Sequence, residues 1–172
     1  MISAADKLQA VFSHIADTRM AGLPICNPEL RVQVVGCREW QGYWLSVLIT
    51  PWMINLILMA GEEAQLATLS LDQKVTWEFP SGRYEFMGLN EPELGACHIC
   101  SLISPVMHIE SHADAVSIAE AAMLELFVAE RSDAQRDADN KAMFEAARMQ
   151  GEPIKDKQLS RRDFLRGNFL GV

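Results

Sequence analysis

The sequence predicts an α+β fold: an antiparallel β-meander sheet packed by an N-terminal helix and by a long helix after the sheet, with a C-terminal extension. Three observations carry this. Apolar residues recur at helical spacing near the start of the chain. Six short strand-like runs then follow, separated by turn signals and not by helices, which means antiparallel pairing. Past residue 103 the period returns to that of a helix.

Ser3 is placed to cap the first helix, with Asp6 three residues on in the capping-box position. Leu8, Val11, Phe12 and Ile15 form its apolar face, and Gly22 and Pro24 end it. Residues 31–38 read as a strand and Gln41-Gly42 as a turn. Residues 43–61, "YWLSVLITPWMINLILMAG", are long enough for a transmembrane helix. Pro51 interrupts them, and they are rich in Ile, Val, Leu, Trp and Thr. Two buried strands, 43–50 and 53–59, explain the run better than a membrane span. Residues 61–72 are polar and carry no firm assignment. Residues 74–79, 83–89 and 95–103 continue the meander, with turns at Pro80-Ser81-Gly82 and Glu91-Pro92-Glu93. Ser111 or Asp114 starts the second helix, which runs through Arg131 with Val116, Ala119, Met123, Leu126 and Phe127 as its apolar stripe. The reading gives an α+β domain over 1–131, a charged, partly helical linker over 132–159 and a tail over 160–172.

At 172 residues the chain fits one domain with a tail to spare, long enough to bury a core without staples. Its four cysteines are not a disulfide framework, and the N-terminus has no basic segment followed by an apolar run. A cytoplasmic protein with reduced thiols is expected. The net charge of −8 is uneven. Residues 155–172 hold five basic and two acidic residues, and the remainder holds ten basic and 21 acidic ones, a tail of +3 on a body of −11. An acidic body argues against nucleic acid as partner and suits a basic peptide.

Cys97, Cys100, His108 and His112 in "CHICSLISPVMHIESH" have the chemistry of a zinc ligand set. The context opposes it. A zinc knuckle needs a tight turn inside C-x-x-C, whereas these cysteines lie in a strand-like run, where residues three apart face opposite sides of a sheet. A redox pair would sit at a helix N-terminus, and strand residues follow Cys100. Both cysteines are expected as free thiols. The chain has no G-x-S-x-G, P-loop or G-x-G-x-x-G, and no enzyme is expected. Aromatic residues cluster in the meander, and core is the default for each. Trp52 is the exception, since it follows Pro51 at a break between strands, where a side chain can point outward. With Met53 beside it, and nine methionines in all, the chain offers soft apolar surface that accommodates varied peptides.

The segments "WQGYWLSVLITPWMINLILM", "FPSGRYEFMGLNE" and "CHICSLISPVMH" together resemble the HybE/HupJ family of NiFe-hydrogenase assembly chaperones. The resemblance implies an accessory role in hydrogenase maturation in the cytoplasm. It also implies no required cofactor and, as partner, a hydrogenase small-subunit precursor held by its twin-arginine signal before export. The large subunit or other maturation proteins are further partners it allows. Trp52 and Cys100 are the motif positions to test for function. The alternative is a metal- or redox-handling assembly factor that uses Cys97, Cys100, His108 and His112. The tail, "SRRDFLRGNFLGV", opens as a twin-arginine signal does, with Arg161, Arg162, Phe164 and Leu165, but at the wrong end and without room for an apolar segment. It reads either as a docked terminus or as an internal copy of the client's motif.

Overall fold

The computed structural model describes residues 3–128 together with 141, 142 and 145. The expected linker and tail, with Arg161, Arg162, Phe164 and Leu165, otherwise lie outside the described residues.

Both helices start where a serine can satisfy an orphan amide. Ahead of α1 (Ala4–Asp17), Ser3 Oγ accepts from Asp6 N at 3.1 Å and donates to the Asp6 carboxylate at 2.7 Å. Ser111 repeats the device ahead of α2 (His112–Leu126), with Asp114 at 3.1 and 2.6 Å. Between the helices lie β1 (Gln33–Trp40), β2 (Tyr43–Ile49), β3 (Ile54–Ala60), β4 (Lys74–Phe79), β5 (Gly82–Glu91) and β6 (Gly95–Ile103). The long apolar run is thus the β2–β3 hairpin, and no helix among the described residues is long and apolar enough to cross a membrane.

The six strands form one antiparallel sheet, but not in sequence order: it runs β1-β2-β3-β6-β5-β4. Two three-stranded meanders therefore replace the single expected one, joined along β3 and β6. The segment 61–73 makes this possible by crossing β6 and β5 on its way to the far edge. Ala67 O bonds His98 Nε2 at 2.8 Å, and Asn90 Nδ2 donates to Leu69 O at 3.1 Å. At Gly88 a Cβ would lie 2.6 Å from Leu69, so only glycine lets the crossing segment rest on the strand.

Alternation along the strands sorts the core into two layers. Leu45, Val47 and Ile49 of β2, with Leu56 and Leu58 of β3, face α2; Leu48, Ile57 and Met59 face α1. The sheet is strongly curled toward α2. Laid flat, β1 and β4 would be roughly 24 Å apart. Yet Trp40 of β1 stacks on Phe79 of β4 with ring centroids 4.2 Å apart, and Tyr43 meets Trp77 at 5.1 Å. The two edges thus meet in an aromatic seam, and α2 lies on the concave side. A bulge between Val35 and Arg38, with Gly36 at φ 65°, adds twist at the β1 edge.

The α2 face that enters this curl keeps Ala119, Met123 and Leu126 of the expected stripe but is turned toward Ala115 and Ala122. Ala115, Ala119 and Ala122 lie buried with Met123 and Leu126, and small side chains let the helix approach the strands. Val116 and Phe127 of the expected stripe are only partly buried. The helix also stops at Leu126, short of Arg131. Phe127 N bonds Leu124 O and Val128 N bonds Glu125 O, three residues back, which tightens the last turn. Ser81 N donates to Leu126 O at 3.2 Å and so ties this end to the β4–β5 turn. Arg38 lies 4.1 Å over the Phe127 ring.

Candidate functional site

The β2–β3 turn is closed by the Thr50 N–H, which donates to Met53 O at 2.9 Å, and by the Thr50 hydroxyl. Thr50 Oγ1 accepts from Met53 N at 3.0 Å and Trp52 N at 3.3 Å and donates to Met53 O at 2.9 Å. The turn holds Pro51, Trp52 and Met53 at the end of the sheet, all three half-buried. Trp52 leans on the α1-side layer, which matches its expected place at a strand break.

Two further loops join this turn through a single side chain. Asn27, buried, donates its backbone N–H to Pro51 O at 2.7 Å. Its Nδ2 donates to Val106 O at 2.9 Å and Ile109 O at 2.8 Å, and its Oδ1 accepts from Glu29 N at 2.9 Å. Both amide hydrogens and the amide oxygen are engaged, so the loop before β1, the β2–β3 turn and the loop after β6 converge on one end of the sheet. Exposed apolar side chains gather on those loops: Ile25 is 53% exposed, Met107 52% and Leu23 41%. Glu29 and Glu110 stand exposed on the same two loops. This end of the sheet is therefore a soft apolar surface around Trp52 and Met53, with carboxylates on the same loops.

Cys100 is set apart from it. The ladder places Cys100 on the α2 side and Cys97 on the α1 side, so the pair diverges as strand geometry requires. Both thiols are free. Burial pushes each up to about 11, helped by Glu91 at Cys97 and by Glu85 at Cys100, while Lys7 opposes the rise at Cys97. Both stay protonated at neutral pH, a state that neither attacks a disulfide nor binds a metal. His112 is committed elsewhere: Nδ1 accepts from Arg31 N at 3.3 Å and Nε2 bonds Gln33 Oε1 at 2.8 Å. Burial and then the Arg31 charge lower its pKa. His108 is exposed. The four residues of the alternative ligand set are thus not brought together, and among the described residues no group of three or more His, Cys, Asp or Glu is placed to hold a metal ion.

Sequence reasoning missed Asn27, whose signal was an Asn-Pro-Glu turn in which the amide caps the residue two further on. It also missed Asn55, the polar residue inside the apolar run of β3.

The model of the family described as NiFe-hydrogenase assembly chaperone HybE matches residues 3–167. The hydrogenase expression/formation protein HupJ of Bradyrhizobium diazoefficiens is 33% identical over 162 residues, covering 94% of this chain and 86% of that protein. The probable rubredoxin HupJ of Rhodobacter capsulatus is 35% identical over 136 residues, 78% of this chain; the chain spans about half of that longer relative, 49%. Among solved structures, the solution structure of HybE from Escherichia coli superposes with a TM-score of 0.59 at 24% identity, covering 73% of this chain and 77% of that one, a likeness of fold.

Proposed function

This chain belongs to the NiFe-hydrogenase assembly chaperone HybE family, and on that premise we propose that it holds a hydrogenase small-subunit precursor by its twin-arginine signal before export, in the cytoplasm and without chemistry of its own. The observation that carries the reading is the apolar surface around Trp52 and Met53, exposed at Leu23, Ile25 and Met107 and fixed in place by Asn27. A signal of this kind offers two arginines followed by apolar residues. The apolar part suits the Trp and Met surface; Glu29, Glu110 and the −11 body suit the arginines. Exposed ion pairs contribute only ~0–1 kcal/mol each, so the aromatic and methionine contacts supply most of the affinity.

The test is titration of a labelled twin-arginine peptide into the full chain. Trp52→Ala is expected to weaken binding about tenfold or more, with the thermal midpoint little changed, since Trp52 sits at the end of the sheet. Unaltered affinity in that variant would remove Trp52 from the site. In the same reading Arg161, Arg162, Phe164 and Leu165 form a tethered copy of the signal, at an effective concentration on the order of millimolar, that competes with the client. Deleting residues 160–172 is then expected to tighten peptide binding; equal or weaker binding would make the tail something other than a competitor.

A further inference from the structure

Asn55 shares the α1-facing side of β3 with Ile57 and Met59, and is 1% exposed. Its amide is poorly satisfied. Nδ2 donates to Met53 Sδ at 3.0 Å, and a thioether is a weak acceptor. Oδ1 is buried with no hydrogen-bond partner among the described residues. A buried amide in this state costs stability, and a leucine would be the more stable choice in such a strand. The position is also irregular: Ile54 pairs with Ile103 and Asn55 with Ser101, so β6 carries one extra residue where Asn55 sits. Such bulges recur where a strand must re-aim a side chain beside a site. Ser101, directly across from Asn55 on the same face, is exposed, and so is Met87 on the next strand. The surface is therefore open immediately beside the amide.

We infer that Asn55 is a main-chain clamp: when Met53 moves aside, its amide receives the C=O and N–H of one residue of an extended peptide. The geometry suits this chemistry. An extended residue presents its N–H and C=O to the same side, as hydrogen-bonded pairs in an antiparallel ladder do. A carboxamide offers the matching acceptor and donor. The clamp reads backbone and not side chains, so it holds the apolar stretch of a signal whatever its sequence, while Trp52 and its neighbours supply apolar contact. Met53 is its reversible stopper, occupying the donor while the site is empty. The inference rests on the peptide-binding reading above and names the residue that would orient the peptide.

The experiment uses the full chain, a labelled twin-arginine peptide, and a set of peptides each carrying one backbone ester in place of an amide. Asn55→Leu is expected to lower affinity about tenfold or more, as two hydrogen bonds would, while the thermal midpoint holds or rises. A merely structural asparagine would give the opposite pair of results. One ester position is expected to weaken binding to the unmodified chain and to have no effect on Asn55→Leu. Met53→Leu keeps the apolar bulk, frees the amide and is expected to tighten binding a few-fold. Unchanged affinity in Asn55→Leu overturns the clamp while leaving the peptide reading intact. If the unmodified chain binds no twin-arginine peptide, both fall. Should Asn55→Leu fail to fold, unchanged affinity in Met53→Leu overturns the clamp by itself.

Discussion

The two faces of the curled sheet are built to different standards. The concave face is closed. Its edges meet in the Trp40–Phe79 stack, α2 fills the curl with alanines, and the segment 61–73 covers β5 and β6. The convex face is only part-covered. α1 packs there on Leu48, Ile57 and Met59, yet Met87 and Ser101 remain exposed, and Ser46 Oγ and Asn55 Oδ1 lie buried without partners among the described residues. Unsatisfied polar atoms are rare in a packed core, so each calls for a reason. The contrast sets a tightly packed side of the sheet against one that is less completely covered.

Breaking the closed face is expected to have the largest effect. Phe86 is fully buried between β4 and β6, and Phe86→Ala should cost about 3–5 kcal/mol of stability, read by denaturant unfolding. A loss near 1 kcal/mol would mean that the seam can collapse onto the gap, and that the face is not rigidly closed.

The thiols compare the faces by pH, since Cys100 belongs to the closed side and Cys97 to the α1 side. Each folded-state pKa is raised from 9.0 to about 11. Stability from this source is therefore complete below pH 9 and is lost as pH rises through about 11. At pH 10 the two together should have cost about 2–3 kcal/mol relative to pH 7. Cys97→Ala and Cys100→Ala should each flatten part of that slope in urea melts taken from pH 7 to 10. A slope unchanged in both variants would show that the buried thiols do not set it.

Asn27→Ala acts on the site end and not on either face. It strands Val106 O, Ile109 O and Glu29 N, and about 2 kcal/mol should be lost. Peptide affinity should fall as well, because the three loops separate. The smallest effect belongs to the edge pair Lys74–Glu85, both side chains more than half exposed. Lys74→Ala should change stability by under ~0.5 kcal/mol at physiological salt.

Much of this was legible in the sequence because it is local. The Ser3 cap, the α1 face and the split of residues 43–61 into two strands follow from spacing within a turn or a strand, as does Ser111 as one of two starts for α2. The divergence of Cys97 and Cys100 follows from alternation alone. Strand order was not legible, since it depends on which strand β6 meets and on a glycine at 88 that admits a crossing segment. The α2 face was legible at Ala119, Met123 and Leu126, while Ala115 and Ala122 were passed over because small residues give a weak apolar signal. Asn27 and Asn55 carried only weak local signals, since an asparagine's role depends on partners that the fold brings to it from elsewhere in the chain.

The aromatic seam has a kinetic meaning. It joins residue 40 to residue 79 across two hairpin systems that each assemble from neighbouring strands. Both edges have to be in place before the stack can form, so a low φ-value is expected for Trp40→Ala. Contacts made late hardly change how fast a chain folds; they govern how seldom it opens. The lifetime of the folded chain is then expected to depend most on the place where its two edges touch.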